Sequence, residues 1–301
     1  MTLSVGVALP QVWSGRRPDA GDVRAFAARA EALGFDALWT MELTSAPVLQ
    51  PLPLLAHVAA VTTRVRLGVA VLLTALRSPY ALAQETATID QLSGGRLDVG
   101  VGYGSNEALF PLHGLPSARR LSRYVQGLDV LRRLWSGDAV SHHGFWDLDG
   151  VRLEPRPVQR PHPPLLFGAR RRPALARAVE LGDGWIGSGS ASWDEFHDSL
   201  ATLRELLDEA GRERFTIGKR IYLSLAPSGR DERMREWFAS NYGRAHLADS
   251  VTIVGSPAVV AERLAALVDA GLDLLLLNPI HDEPEQLEAL ASEVVPLVRR
   301  A

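Results

Sequence analysis

Two acidic residues and a glycine-rich segment are the first candidates for chemistry in this sequence. Glycines alternate with other residues from Gly100 to Gly104, and Glu107 follows three positions later. The missing side chains would let a flat ring or a phosphate approach the backbone, or would only make a turn. Glu42 could accept a hydrogen bond from a ligand or act as a base. A salt bridge would explain Glu42 equally well, and Glu107 taken alone favours the surface.

A second candidate is the basic loop that follows Phe167. Gly168 and Ala169 are small, three consecutive arginines occupy positions 170–172, and Pro173 suits the first turn of a helix. Free backbone N–H groups at a helix N-terminus, beside guanidinium groups, are typical of an anion site. Three successive side chains point in different directions, so we expect at most two to contact a ligand. A solvated basic turn is the alternative.

Composition and spacing argue against several other classes of protein. The 301 residues include no cysteine and carry a net charge of −3, so disulfides, cysteine-ligated metals and nucleic acid are not expected. No histidines are paired at the i, i+4 spacing of a helical metal site, and we expect no metal. Residues 187–191 lack the final glycine of a nucleophile elbow. The scarcity of lysine beside abundant arginine is read as a compositional bias.

Location is predicted from what the sequence does not contain. No stretch approaches the roughly 20 apolar residues of a membrane span. Residues 1–10 show neither the basic region nor the long apolar run of a signal peptide. We therefore expect a cytoplasmic protein with a small-molecule substrate and no membrane partner.

Alternation of apolar strands and amphipathic helices is the main pattern along the chain. Eight short segments have the apolar character of strands buried on both faces, and each precedes a segment with helical spacing of apolar residues. This alternation indicates parallel strands with right-handed crossovers, and eight units favour a closed barrel over an open sheet. The predicted strands are 3–9, 35–40, 65–73, 96–101, 164–167, 184–186, 215–225 and 273–277. The predicted helices are 22–33, 52–61, 79–92, 121–135, 173–181, 193–210, 257–270 and 285–298.

We therefore predict an α/β protein in which residues 1–301 form one (β/α)8 TIM-barrel domain. The site of such a barrel lies at the C-terminal ends of the strands, where the βα loops begin. Two intervals, 136–163 and 227–254, interrupt the pattern and are predicted as insertions at that face. Their aromatic residues could line an apolar pocket or belong to ordinary packing.

Several segments, in this order, resemble the bacterial luciferase-like family of flavin- or deazaflavin-dependent oxidoreductases. The most specific is 92–104, which reads Leu-Ser-Gly-Gly-Arg-Leu-Asp-Val-Gly-Val-Gly-Tyr-Gly and is followed by Glu107. The likeness covers nearly the whole chain. Its other parts are residues 30–39, 163–164, 182–185 and 255–257.

The resemblance implies a cofactor across the C-terminal mouth of the barrel. The ring would rest near the end of the third strand, where the family often has a bulge, and the phosphate would lie on the loop at Gly168. Glu42 and Glu107 are the implied catalytic carboxylates. The implied cofactor-binding residues are Leu72, Leu73, Thr74, Gly102, Tyr103, Gly168, Ala169, Arg170 and Arg171.

Leu43 is the main departure from the family pattern. Many members carry histidine after the acid at Glu42, and its absence puts the usual luciferase-type proton transfer in doubt. The segment from Trp39 to Glu42 and the layout of 136–163 look more like the branch that resembles methylenetetrahydromethanopterin reductase, which uses coenzyme F420. We therefore expect F420, with FMN as the alternative.

Three functions are carried forward from the sequence. The first is F420-dependent hydride transfer to or from a small organic substrate, and the second is an FMN-dependent luciferase-like monooxygenase. The third is a non-catalytic flavin-binding protein, which Leu43 motivates. A metal hydrolase on the same barrel would need clustered histidines and acids at the strand ends, which the sequence does not place there. The resemblance also implies a homodimer or higher homo-oligomer.

Overall fold

The computed structural model describes residues 3–13, 17–43, 47–104, 106–226 and 231–300. Its strands are β1 (Ser4–Ala8), β2 (Ala37–Thr40), β3 (Arg66–Leu73), β4 (Leu97–Gly102), β5 (Val140–His143), β6 (Asp147–Val151), β7 (Leu165–Phe167), β8 (Gly184–Gly187), β9 (Thr216–Leu225), β10 (Thr252–Gly255) and β11 (Leu274–Pro279). Its α-helices are α1 (Ala20–Ala32), α2 (Pro51–Ala59), α3 (Pro79–Ser93), α4 (Leu109–Leu112), α5 (Arg120–Ser136), α6 (Arg172–Leu181), α7 (Trp193–Glu209), α8 (Glu232–Tyr242), α9 (Leu247–Val251), α10 (Pro257–Asp269), α11 (Glu283–Ala289) and α12 (Val295–Val298).

Eight parallel strands close a barrel in the order β1-β2-β3-β4-β7-β8-β9-β11, and β11 pairs again with β1. Each strand overlaps one of the eight predicted segments, so the predicted (β/α)8 barrel is confirmed. Continuous apolar runs identified these strands because each is covered by helices on one side and by the barrel interior on the other. Within the described ranges, no helix combines the length and the apolar character needed to cross a membrane.

The indole of Trp39 fills the barrel interior because the neighbouring strands carry glycine beside it. A Cβ on Gly68 would lie 2.3 Å from Trp39 Cε3, and one on Gly6 would lie 2.6 Å from Cδ1. Trp39 is buried in one cluster with the apolar side chains of Leu166 on β7 and Leu276 on β11. The two glycines therefore make room for the largest side chain on the barrel axis.

The first predicted insertion contains the hairpin β5–β6, which packs along α5. At its tip, the Phe145 ring lies 4.8 Å from the guanidinium carbons of both Arg119 and Arg123, at the start of that helix. The chain then returns towards β7 and is held by buried Asp90, whose carboxylate accepts hydrogen bonds from the backbone N–H of Val158 (2.7 Å) and Gln159 (3.0 Å). The tip therefore reaches the C-terminal face although the connection starts and ends at the other face.

The second predicted insertion, whose residues 227–230 lie outside the described ranges, contains α8, α9 and β10. β10 pairs in parallel with the end of β9 and extends the sheet beyond the barrel. Trp237 and Phe238 of α8 pack against Tyr222 of β9, with ring centroids 5.4 and 5.1 Å away. This half of the barrel mouth is therefore covered by an aromatic cluster.

The final predicted helix, 285–298, is interrupted. A π-helical turn over Leu290–Val294 separates α11 from α12. Pro296 lies in the first turn of α12, where its missing N–H cannot bond to the carbonyl four residues earlier. The apolar spacing continues through the break, which is why the sequence predicted one helix.

Substitution Gly68→Ala tests the packing of Trp39. The new methyl group would overlap the indole, so we expect the free energy of unfolding to fall by about 1–3 kcal/mol, measured by urea denaturation. Gly127→Ala is the matched control, because its Cβ would meet only the outer edge of the Trp146 ring, at 3.1 Å, in the middle of α5. Equal losses in the two variants would contradict this packing.

Candidate active site

The C-terminal end of β3 carries the bulge that the resemblance implies. Its register with β4 shifts between Val69 and Leu72, and the Ala70–Val71 peptide bond is cis. The Val71 side chain lies in space left by glycines: a Cβ on Gly102 would be 2.9 Å from Val71 Cγ2, and one on Gly168 would be 3.3 Å from it. The space beside these glycines is therefore occupied by Val71, and their predicted role towards a cofactor stays a prediction.

The other predicted cofactor-binding residues at this strand end have different surroundings. Leu72 is buried in the hydrophobic core outside the barrel, whereas Leu73 and Tyr103 are half-buried. Thr74 is buried, and its Oγ1 has no hydrogen-bond partner in the described part of the chain. A buried hydroxyl without a partner is uncommon and costs free energy. Thr74 therefore has a donor and an acceptor available to a ligand.

Glu42 holds the bulge in place. One carboxylate oxygen accepts hydrogen bonds from the backbone N–H of Leu73 at 2.6 Å and from Arg77 Nη1 at 3.0 Å. The other lies 2.8 Å from Arg77 Nη2, and the two side chains are only 3% and 19% exposed. Both oxygens are therefore committed to a buried bidentate ion pair and to the backbone. This arrangement suits positioning of the strand end better than proton transfer.

Glu107 has a more open environment. Its carboxylate lies 2.8 Å from Arg120 Nη2, and its side chain is 59% exposed. Surface ion pairs of this kind contribute little to stability. The side chain remains able to leave Arg120, and the structure gives Glu107 no contact that fixes it on the barrel mouth.

The basic loop separates its three arginines. Arg170 donates from Nη2 to Ser188 Oγ at 3.0 Å and to Ser190 Oγ at 2.7 Å, on the loop after β8. Arg172 points outward to Glu205 and Glu209 of α7, and Arg171 is exposed at the start of α6. One arginine of the three therefore faces the neighbouring βα loop.

Ala169 and Gly168 form the base of this loop. Ala169 is buried, and its carbonyl accepts a hydrogen bond from Trp185 Nε1 at 2.8 Å. The carbonyl of Arg170 accepts one from Ser199 Oγ at 3.0 Å. The backbone of the loop is therefore fixed from below, and the N–H of Gly168 donates to the carbonyl of Val101 at 2.9 Å. Helix α6, which follows the loop, starts without a side-chain cap.

Arg220 is a buried cation that the sequence reasoning missed. Its Nε donates to Asn278 Oδ1 at 3.0 Å, and its Nη1 donates to the carbonyl of Ala70 at 3.2 Å, across the barrel interior on the bulge. No ion pair to a carboxylate is found for it within the described ranges. A cavity of about 20 Å³ adjoins Arg220 and Asn278 beneath Trp237. An anionic or carbonyl group of a ligand would supply a further hydrogen-bond acceptor for the guanidinium group of Arg220.

Two tyrosines meet above Arg220. Tyr242 is one of the insertion aromatics that could line a pocket, whereas the sequence reasoning missed Tyr222. The hydroxyls of Tyr222 and Tyr242 lie 2.7 Å apart, and the guanidinium carbon of Arg220 lies 5.1 Å from the centre of the Tyr222 ring. Burial raises the pKa of Tyr242 well above its ordinary value, and the Tyr222 hydroxyl adds to this, while Arg220 and Arg170 act in the opposite direction. The Tyr242 hydroxyl therefore stays protonated and can donate a hydrogen bond near neutral pH.

The described residues fit a flavin-type cofactor on three counts. Thr74 Oγ1 is buried and unpartnered, Val71 presents a half-exposed apolar surface at the bulge, and Arg170 supplies a cation beside two serines. A planar ring needs the first two features and a phosphate needs the third. In the same part of the chain, no group of three or more histidine or acidic side chains could hold a metal ion.

Comparison with known proteins identifies the class to which this fold and site belong. The family described as luciferase-like monooxygenase matches residues 4–249. That match covers most of the chain, so the protein belongs to the luciferase-like monooxygenase family of oxidoreductases.

Curated relatives include users of both cofactors. The F420-dependent glucose-6-phosphate dehydrogenase of Kineococcus radiotolerans is 29% identical over an alignment of 319 positions, gaps included, that covers 93% of each chain. The FMNH2-dependent dimethylsulfone monooxygenase of Pseudomonas putida is 27% identical over 266 residues, which cover 74% of this chain and 71% of the relative. The relatives support a flavin-type cofactor without choosing between the two.

A solved structure supports the fold. The F420-dependent secondary alcohol dehydrogenase in complex with an F420–acetone adduct aligns with a TM-score of 0.83, at 22% identity and over 99% of each chain. At this identity the likeness concerns the barrel, and it agrees with the closed eight-stranded sheet described above.

Substitution Glu42→Gln tests the positioning role of this residue. It leaves the Arg77 guanidinium buried without its countercharge, so we expect the free energy of unfolding to fall by about 3 kcal/mol in urea denaturation. Glu107→Gln is the control, with an expected loss below about 1 kcal/mol because its ion pair is exposed. An effect of Glu42→Gln as small as that of the control would remove the structural assignment.

Proposed function

We propose that this protein is an oxidoreductase that uses coenzyme F420 to move a hydride to or from a small organic substrate. The observation that carries the proposal is Leu43 after Glu42, in a rim where the Glu42 carboxylate is already bound to Arg77 and Leu73. Leu43 packs with Met41 against the aromatic cluster of α8. The rim after β2 therefore presents an apolar wall rather than the histidine of luciferase-type members.

The relative named for F420 dependence supports the same choice. It matches this chain over 93% of both lengths, whereas the relative named for FMNH2 matches about three quarters of each. When bound, the deazaflavin would supply hydride chemistry and the protein would supply position and electrostatics.

The cofactor ring is proposed to lie against the bulge of β3. Val71 and Leu73 would contact it, Tyr103 would border it, and Thr74 Oγ1 would hydrogen-bond to it. The backbone of Gly102 would lie under Val71, and Leu72 would contribute only its backbone because its side chain is in the core. Glu42 would act by holding the N–H of Leu73, and Glu107 would border the substrate entrance.

The phosphate of the cofactor is proposed to lie at the loop after β7. Gly168 and Ala169 would offer backbone, Arg170 would supply charge, and Arg171 would contribute at the exposed rim. This arrangement uses the start of α6, which has no side-chain cap.

The substrate is proposed to approach from the side of Arg220 and the tyrosine pair. Arg220 would bind a carbonyl oxygen or an anionic group, and the Tyr222–Tyr242 pair would donate a hydrogen bond or a proton to an oxygen that gains negative charge. The aromatic side chains of α8 would exclude water from this half of the mouth. A small organic carbonyl compound or alcohol fits these groups.

An FMN-dependent monooxygenase is the second candidate. The relative from Pseudomonas putida favours it, because its name specifies FMNH2. With either cofactor, we propose that the protein is cytoplasmic and forms a homodimer or higher homo-oligomer. The family resemblance supports the homo-oligomer.

Cofactor titration separates the two candidates. Quenching of tryptophan fluorescence, with F420 and FMN added separately to the purified protein, should show F420 binding at least about tenfold tighter, a difference of ~1.4 kcal/mol. Tight FMN binding with no F420 binding would overturn the preference for F420. Absence of binding by either would remove the proposed function.

Substitution Thr74→Val tests the ring site with two readouts of opposite sign. Replacing an unpartnered buried hydroxyl by a methyl group of the same shape should raise the free energy of unfolding by about 1 kcal/mol. Loss of a hydrogen bond to the cofactor should weaken its binding by roughly tenfold, since such a bond contributes about 1 kcal/mol or more. A stabilised variant with unchanged cofactor affinity would show that Thr74 does not contact the ring.

A further inference from the structure

Lys219 is the single lysine of the chain, although lysine and arginine together number 32. It lies in the middle of β9 with its side chain outside the barrel, under α7, and is only 1% exposed. Its Nζ donates to the carbonyl of Ser188 at 3.3 Å and lies 4.3 Å from the ring centre of Phe196 and 4.8 Å from that of Trp193. The ammonium therefore sits directly beneath the loop after β8.

The charged groups around Lys219 do not balance it. Arg170 approaches from the loop before α6 and binds Ser188, the residue whose carbonyl accepts from Nζ. Arg263 of α10 lies on the Trp193 ring, 5.4 Å from its centre. Glu195 of α7 is the carboxylate within electrostatic range, but it is exposed and lies 4.0 Å from Arg170 rather than against Nζ. The exposed ring of His197 contacts Phe196 on the far side.

No ion pair of Lys219 is found in the described ranges, which contain every aspartate and glutamate of the chain. A buried ammonium without a carboxylate is costly, and here a second cation lies beside it. The serine hydroxyls held by Arg170 add two polar groups at the same point. Arg170 and Lys219 therefore share one exposed carboxylate, Glu195, and the cluster carries an excess of positive charge.

We propose that Lys219 is the buried cation of an anion site formed with Arg170, Ser188 and Ser190, and that the phosphate group bound there keeps it charged. The inference rests on the proposed function insofar as that phosphate belongs to the cofactor. Arg170 and the two hydroxyls contact the phosphate, and Lys219 acts from below through the Ser188 carbonyl. Lys219 is therefore a positioning residue for the β8 loop.

The choice of lysine at this one position has a physical reason. All other residues among the 32 lysines and arginines are arginine. At position 219 the chain has the smaller ammonium group instead, and the rings of Trp193 and Phe196 lie over it. A guanidinium is larger and stays charged at all accessible pH values, whereas an ammonium can lose its proton when no anion is present. Lysine therefore lets the loop remain folded both with and without phosphate.

Protonation of Lys219 and binding of the anion are linked. Burial, with a further contribution from Arg170 against the opposing effect of Glu195, lowers the pKa of Lys219 to about 7. A bound dianion offsets the repulsion by Arg170 and raises the pKa, so binding takes up a proton. Anion affinity is then highest below the pKa of the free protein and falls as pH rises through the pKa of the complex.

The experiment measures this proton directly. Protein grown with lysine labelled with ¹³C at Cε gives one lysine resonance, because the chain has one lysine. Its chemical shift is followed from pH 5.5 to 9.5 without and with inorganic sulfate, a tetrahedral dianion that does not titrate in this range, against chloride at equal ionic strength. We expect the titration midpoint of Lys219 near pH 7 in chloride. In sulfate the midpoint should rise by about one pH unit or more, which corresponds to about tenfold tighter sulfate binding by the protonated form than by the neutral form.

Three variants complete the test. Lys219→Met should lower the affinity for sulfate about tenfold at pH 6.5 in calorimetry and abolish its dependence on pH. Arg170→Ala should raise the midpoint of Lys219 in chloride and remove the response to sulfate. Arg172→Ala is the matched control in the same loop, and its ion pairs face α7, so sulfate affinity should not change.

Two results would overturn the proposal. One is a midpoint that sulfate does not move although calorimetry shows that sulfate binds, and the other is no sulfate binding at all. Both results are obtained with inorganic sulfate and without cofactor, so they do not depend on the outcome of the cofactor titration. Normal sulfate linkage without binding of F420 or FMN would instead retain the anion site and remove the proposed function.

Discussion

The packing of Val71 between three strand ends is the constraint on which the barrel mouth depends. Its methyl groups occupy space that a side chain on Gly100, Gly102 or Gly168 would fill. β3, β4 and β7 can approach at this end only because the last two present glycine to the first. The glycine-rich run of β4 therefore serves the ligand indirectly, since it seats the residue on which the ring is proposed to rest.

The carboxylate of Glu42 transfers this constraint to the neighbouring strand. It binds the N–H of Leu73, which follows the bulge, and the ion pair with Arg77 keeps that oxygen in place. A base must exchange protons with a ligand, whereas this carboxylate already accepts two hydrogen bonds and has a second ion-pair contact with Arg77, so it has little capacity left. Within the proposed function, hydrogen-bond donation to a substrate oxygen is better assigned to the tyrosine pair on the opposite side of the mouth.

The sequence predicted the barrel because each βα unit repeats the same pattern of an apolar strand followed by an amphipathic helix. The same patterns do not predict the roles of Arg220 or Lys219, because both lie inside the apolar run 215–225 and the pattern of apolar residues carries no information on the partners of a charged side chain. Alternation along a strand places Lys219 outside and Arg220 inside. The one sequence signal for Lys219 is that it is a single lysine in an arginine-rich chain. Helix α8 was missed because its aromatic face packs on the barrel mouth rather than on the barrel wall.

The two halves of the mouth differ in charge, and this difference would orient the proposed ligand. Arg170 and Lys219 lie beside the loop after β8, whereas the opposite half is closed by the aromatic side chains of α8. Arg220 lies deeper, between the halves, with its guanidinium on the bulge carbonyl. In the proposed arrangement, an anionic end at the loop would place the apolar ring over Val71, and Arg220 would remain available for an oxygen of the substrate.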